Sequence, residues 1–274
     1  MKVAYFGYNA LSSCLDIFER HNHEITCIFT GESSPHTDQI IAFAERTSCQ
    51  ISFDKPNQAQ MEVLVRDGVE CFFAAEYPWR IPIPTSLPFA INVHPTLLPY
   101  GKGPTPLPSL ILKESQYSGV TLHKMTSEFD DGDILLQEAI ALDSNESFDS
   151  LSAKLTVKTP LLLNKLLSSF QSYYQSSTPQ SGGSYWSKLS REDQTVHWSS
   201  STSTLSKQFR AFASLGVYSE IDGQPCLITA AEWELHSHTV QPGTILSADN
   251  IALVIATNDG LVRIARKHLF SITP

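Results

Sequence analysis

Four short apolar segments alternate with stretches of helical periodicity, and this alternation constrains the fold more than any other feature of the chain. Val3 to Phe6, His23 to Thr30, Cys71 to Ala75 and Ala90 to Val93 read as strands. Between them, Leu11, Leu15, Ile17 and Phe18 mark one helical face, Thr37 to Thr47 a second helix and Met61 to Val69 a third. Strands separated by helices cannot pair as hairpins. They predict an α/β fold with a doubly wound, mostly parallel sheet. Ligands of such sheets bind beyond the carboxyl ends of strands. Gly7, Tyr77 and His94 all follow strands, so three loops are expected to converge on one crevice.

The pattern changes farther on. Val120 to Met125 and Ile134 to Ile140 read as strands flanking an acidic turn, and Phe148 to Tyr174 as one long amphipathic helix. Gln175 to Ser184 is polar, rich in Pro and Gly and free of charge, which is a linker composition. One helix, about Thr202 to Ala213, then precedes short strands with turns at Asp222-Gly223, Pro242-Gly243 and Asp259-Gly260. That is the pattern of a small β-barrel or sandwich. The expected organisation is a catalytic domain over 1–178, a linker over 179–184 and a small OB-like barrel over 185–274.

Charge narrows the partners. The chain carries a formal net charge of −9 over 274 residues. Twelve basic and 20 acidic residues precede the polar stretch, and 7 and 8 lie in the rest. Neither part has the basic excess of a general nucleic-acid binder. The amino terminus starts at once with a strand, and no apolar run is long enough for a bilayer, so a cytoplasmic protein without a membrane partner is expected. Cys14, Cys27, Cys49, Cys71 and Cys226 are scattered and odd in number, which suits reduced core thiols. No metal is expected.

Chemistry concentrates in Asn92-Val93-His94-Pro95-Thr96-Leu97-Leu98-Pro99 and in Phe129-Asp130-Asp131-Gly132-Asp133. Asn92 and His94 alternate along a strand, so both point to one face. Pro95 is expected to stop the ladder there. An amide, an imidazole and a carboxylate make a set suited to acyl transfer: an oxyanion donor, a proton handler and a group to tune it. The plainer reading is a capped strand end beside a solvated acidic turn. An EF-hand is excluded, because alignment on Gly132 puts Ser127 and Phe129 where oxygen ligands are needed. Gly7-Tyr8-Asn9 lacks the later glycines of a dinucleotide fingerprint. His236 and His238 have no carboxylate or Cys at ligand spacing and read as an exposed edge. Trp79 and Arg80 read either as a surface turn or as a wall for a flat ring.

At these residues the chain resembles the folate-dependent formyltransferases, of the methionyl-tRNA formyltransferase-like kind. The resemblance rests on Asn92-x-His94-Pro-Thr-Leu-Leu-Pro99, Gly103-x-x-Pro106-Leu107, Gly119-Val-Thr-Leu-His123 and Phe129-Asp130-x-Gly132-Asp133-Ile134. It extends more weakly into the tail, through Val196-His197-Trp198 and Pro242-Gly243-Thr244-Ile245. It implies transfer of a formyl group from N10-formyltetrahydrofolate to an amine, with Asn92, His94 and Asp130 as the catalytic trio. Asn92 and a protonated His94 would donate to the oxyanion, and Asp130 would keep His94 charged. The resemblance places the pterin against Tyr77, Trp79, Arg80, Ile81, Leu98, Phe129, Asp131, Gly132 and Asp133.

The acceptor is read from departures. The loop Gly31 to Asp38 is short and acidic, and Tyr100 to Thr105 holds a single Lys. Initiator methionyl-tRNA would reward many phosphate contacts. These departures favour a small amine. Phe6-Gly7-Tyr8-Asn9 and Gly119-Val-Thr-Leu-His123 resemble those of enzymes that formylate nucleotide-linked sugars, which implies a nucleotide-linked 4-amino sugar destined for a surface polysaccharide such as a lipopolysaccharide O-antigen. Tyr8, Asn9, Thr96 and Lys102 are the expected acceptor contacts, with Lys102 suited to a phosphate. Methionyl-tRNA formylation, hydrolysis of formyltetrahydrofolate and an inert folate-binding module remain alternatives. The tail is open to acceptor binding, homodimer formation or a structural role.

Overall fold

A computed structural model describes residues 1–113 and 115–272. The chain divides into two compact units. One comprises residues 1–106, 117–141 and 152–186, and the other residues 107–116, 142–151 and 187–274.

The first unit is built on a seven-stranded sheet. Its strands are β1 (Lys2–Gly7), β2 (Glu24–Phe29), β3 (Gln50–Ser52), β4 (Cys71–Ala75), β5 (Phe89–Thr96), β6 (Ser118–Lys124) and β7 (Ile134–Ala139), in the order β3-β2-β1-β4-β5-β6-β7. The first five run parallel; β6 and β7 are antiparallel additions. The helices of the chain are α1 (Ser13–Arg20), α2 (Asp38–Thr47), α3 (Gln58–Arg66), α4 (Pro106–Leu112), α5 (Phe148–Ser168), α6 (Phe170–Gln175) and α7 (Thr202–Phe212).

The local causes are plain. β4 is buried at every residue, as a parallel strand covered on both faces must be. In α1, Cys14, Leu15, Ile17 and Phe18 form the buried stripe. Asn57 and Gln60 close a reciprocal capping box at the start of α3. On one face of the sheet Phe6 stacks on Phe29 and meets Phe72 edge-on, with Met61, Ile81 and Tyr77 around them. Removing a ring of this kind from a packed core costs about 3–5 kcal/mol.

β1 leads to β2 and β3 on one side and neighbours β4 on the other, so the winding reverses between β1 and β4. Gly7 pairs with Ala75 there, which brings the loops starting at Tyr8 and Glu76 together.

Three local expectations change. β5 does not stop at Pro95. It continues to Thr96, and the register shifts between His94 and Thr96, so Pro95 sits in a bulge where its missing N–H is harmless. The long helix is two, broken at Ser169, whose φ of −145° is not helical. β3 went unseen because Gln-Ile-Ser has no apolar run.

The second unit contains two antiparallel sheets. One orders as β10 (Glu232–Leu235), β13 (Gly260–Ala265), β12 (Ala252–Ala256), β11 (Ile245–Ala248) once β8 (Val217–Ile221) and β9 (Gln224–Ile228) are numbered. The other joins β8, β9 and β14 (Leu269–Ser271). Asp222 and Gly223 both have positive φ, as a two-residue hairpin between β8 and β9 requires. No helix among the described residues is long and apolar enough to cross a membrane.

Candidate active site

β5 and β6 run side by side and set Asn92 opposite His123 and His94 opposite Thr121. Across this pair lies the turn after β6, which carries Asp130. His94, His123 and Asp130 are all buried.

Hydrogen bonds assign the tautomers. His123 Nδ1 is 2.7 Å from the Lys124 carbonyl, so it carries the proton and donates. Its Nε2 accepts from the Asn92 amide at 3.0 Å. His94 Nε2 donates to the Gly101 carbonyl at 2.8 Å. His94 Nδ1 therefore faces Asp130 Oδ1, 3.3 Å away, and His123 Nε2 lies 3.7 Å from the same oxygen. Asp130 Oδ2 accepts the Gly103 N–H at 2.9 Å.

Burial pushes the His94 imidazole below its ordinary range, and the Asp130 carboxylate and Gly101 carbonyl recover only part of that. Burial pushes Asp130 upward, but the neighbouring His123 and His94 imidazoles and the Gly103 N–H outweigh it and hold the carboxyl below the usual range. Both ring nitrogens of His94 face acceptors, Nε2 the Gly101 carbonyl and Nδ1 the Asp130 carboxylate, while burial opposes the charge that these partners favour.

The Asp130 turn is tightly held. Asp130 has φ 55°, the left-handed region that a non-glycine residue seldom takes. A Cβ at Gly132 would come within 2.0 Å of the Lys124 carbonyl, so only glycine lets the two backbones approach. The Gln180 amide donates to the carbonyls of Asp130 at 2.9 Å and Gly132 at 2.7 Å.

The residues expected around a pterin come from the loop after β4, the end of β5 and the Asp130 turn. Tyr77 and Trp79 meet edge-on, Ile81 is buried beneath, and the Arg80 guanidinium lies 5.1 Å above the exposed Phe129 ring. That contact brings the loop after β4 to the Asp130 turn. Tyr77 Oη is buried without a partner. Leu98 is buried, and its carbonyl accepts from Gln137. Asp133 is turned to Lys124 and Ser177, which hold it below the usual carboxylate range.

The expected acceptor contacts separate. Tyr8 lies against Gly31, where a Cβ would come within 2.7 Å of its Oη. Asn9 is occupied: its Oδ1 accepts the N–H groups of Gln39 and Ile40, and its Nδ2 binds Pro35 O and Asp38. It ties down the start of α2 and has no group left for an acceptor. Thr96 is fully buried and donates to the Tyr100 carbonyl, a structural use that likewise replaces the expected one. Lys102 is paired with Asp131 at 2.5 Å, so neither is a free binding group. Glu76, on left-handed backbone with φ 62°, was not foreseen. Its side chain reaches the surface, yet desolvation pushes the carboxyl up to about 7 against the pull of an Ala10 N–H bond.

His123 and Gln180 were also missed. His123 had a signal, since it lies within the Gly119–His123 segment and a β5/β6 pairing puts it opposite Asn92. Gln180 had none, being one polar residue in a stretch of linker composition.

This geometry accompanies a match to two families. Residues 83–166 match Formyl transferase, and residues 188–269 match Formyl transferase, C-terminal domain. The chain belongs to the formyltransferase family. The methionyl-tRNA formyltransferase of Coprothermobacter proteolyticus is 26% identical to it over 96% of the chain and 90% of that protein. Among solved structures, HypX from Aquifex aeolicus superposes with a TM-score of 0.72 at 23% identity, over 96% of the chain. The chain spans only 45% of HypX. The N-formyltransferase of Helicobacter canadensis, solved with folinic acid and dTDP-3-aminofucose, matches over 99% of both chains with a TM-score of 0.68 at 16% identity. At these identities the structural likenesses speak for the fold of this formyltransferase.

Proposed function

We propose that this formyltransferase moves the formyl group of N10-formyltetrahydrofolate to the primary amine of a nucleotide-linked amino sugar, at Asn92, His94 and Asp130. The observation that carries the reaction is the buried His94 imidazole against the Asp130 carboxylate, with the Asn92 amide on the same strand face.

The co-substrate has a fitting wall. Tyr77, Trp79 and Ile81 offer flat apolar groups, the Arg80–Phe129 contact joins their loop to the Asp130 turn, and the buried Tyr77 hydroxyl lacks a partner that a pterin polar group would supply.

The amine attacks the formyl carbon, a C–N bond forms and charge develops on oxygen. Asn92 has one amide N–H beyond the bond to His123, and His94 Nε2–H can exchange the Gly101 carbonyl for the oxyanion. The proton lost by the amine passes to the His94–Asp130 pair, directly or through water. His94 thus becomes charged while the oxyanion exists, and the two charges stabilise each other in a buried site. Collapse breaks the bond to N10, which takes back a proton, leaving the formamide and tetrahydrofolate.

The acceptor class is supported by charge. The loop Gly31 to Asp38 has no Lys or Arg, and Lys102 is committed to Asp131. A small nucleotide phosphate can displace one carboxylate; a tRNA surface needs many cations. The full-length likeness to a methionyl-tRNA formyltransferase favours a second reading, formylation of initiator methionyl-tRNA. A hydrolase has no comparable support.

The test is tetrahydrofolate release from N10-formyltetrahydrofolate with a panel of acceptors: nucleotide-linked 3- and 4-amino sugars, initiator methionyl-tRNA and no amine. Turnover with one amino sugar, and none with tRNA, is expected. Turnover with tRNA alone overturns the acceptor assignment.

A further inference from the structure

We infer that residues 178–186 belong to the catalytic apparatus, and that Gln180 is the positioning residue that presents the Asp130 carboxylate to His94. The inference rests on the proposed formyl transfer at that pair.

The polar stretch with linker composition is bonded into the first unit at both ends. Thr178 exchanges two backbone bonds with Ile134, at 2.8 and 2.9 Å. Farther on, Ser184 N–H donates to the Pro99 carbonyl at 3.1 Å, and Gly183 packs so closely there that a Cβ would lie 2.0 Å from the same oxygen. Lys102 N–H donates to Ser184 O at 3.0 Å, Trp186 N–H to Lys102 O at 2.7 Å, and Gly101 N–H to Ser184 Oγ at 3.1 Å. Gly101 supplies the carbonyl bound by His94, and Gly103 the N–H bound by Asp130. One strap therefore braces the loop that sets His94 and, through Gln180, the turn that sets Asp130.

Gln180 has the chemistry for this task. Left-handed backbone at Asp130 aims the carbonyls of Asp130 and Gly132 at a common point, and both N–H groups of one primary amide meet them there. A Lys or Arg would also supply two donors, but would bring a cation that competes with His94 for the carboxylate. A neutral amide avoids that competition. Its other end is left unsatisfied: Gln180 Oε1 is buried without a partner. A side chain kept with an orphaned acceptor is one whose donors are needed where they are.

The test reads His94 directly, by NMR titration of its imidazole in the ligand-free protein. Gln180→Met keeps length and removes both donors; Asp130→Asn is the reference. The carboxylate raises the His94 titration, so Asp130→Asn lowers it and Gln180→Met lowers it in the same direction. An unmoved His94 in Gln180→Met, or in Asp130→Asn, overturns the inference. A merely structural role would change melting without moving this titration. If Gln180→Met does not fold, exchange of the wild-type Gln180 amide protons decides: slow exchange is expected, and exchange at the rate of a free Gln side chain overturns the inference. Neither readout involves acceptor or formyl donor, so failure here is separable from failure of the proposed activity.

Discussion

His94 is governed by burial before charge. Its imidazole resists protonation when folded, while the unfolded chain takes up a proton near the ordinary value of 6.5. The sign follows: unfolding gains a proton, so this contribution is present above pH 6.5 and is lost as pH falls below it. Thermal melts from pH 8 to 5 should show an acid destabilisation that His94→Asn reduces; an equal slope in both proteins contradicts the assignment. Glu76 works in the opposite sense, because burial raises its carboxyl from the ordinary 4.5 to about 7. The folded protein holds that proton longer than the unfolded chain, so stability declines as pH rises from 4.5 towards 7. Glu76→Gln should raise the melting temperature at pH 8 and leave it nearly unchanged at pH 4.5. Lys102 meets an exposed carboxylate but its own side chain is largely buried, so Lys102→Ala should lower stability in denaturant unfolding mainly through lost packing. The same variant should raise the acceptor KM more than it lowers kcat, since an acceptor phosphate has to displace Asp131; an unchanged KM removes Lys102 from the acceptor site.

At the scale of elements, the site depends on two close backbone approaches. Gly132→Ala would drive a Cβ to 2.0 Å from the Lys124 carbonyl, and the Asp130 turn has to move. A displacement of this size at a reacting group costs on the order of 10²-fold in rate. Steady-state kinetics should show that loss in kcat, with the melting temperature also lowered; wild-type kcat would show that the turn need not be fixed. What could be read from sequence follows the same division. Asn92 and His94 were legible because strand alternation alone puts them on one face. The α1 stripe was legible because Leu15, Ile17 and Phe18 repeat at helical spacing. The internal partners of Asn9 and Thr96 could not be read, because a polar side chain near a strand end serves a cap or a carbonyl as readily as a ligand. Gln180 was hidden because its partners are backbone carbonyls, which leave no mark in the residue pattern. Pro95 ended the strand in sequence terms but not in the fold, because a bulge needs no N–H there.

Over the whole molecule, a net charge of −9 opposes a polyanion unless cations cluster, and the loop beyond β2 supplies none. Filter binding of initiator methionyl-tRNA should show no retention at about 0.15 M salt. Tight binding that weakens steeply with salt would favour tRNA as acceptor. The parallel strand order was legible at this scale too, since helix-separated strands have few ways to pair. β6 departs from that rule: it pairs antiparallel with β5 although α4 lies between them, and β7 follows β6 through the loop 125–133 that carries Asp130.

The central claim is that the His94–Asp130 pair takes up the amine's proton, with the Asp130 carboxylate balancing the charge that His94 gains. Its most direct test is the single-turnover rate of Asp130→Asn with N10-formyltetrahydrofolate and the best acceptor, beside the folate dissociation constant. Removing a positioned proton acceptor should lower the rate by about 10²–10⁴-fold. Folate binding should stay within about threefold, because the carboxylate acts in the transition state. A rate within a few-fold of wild type would contradict the account.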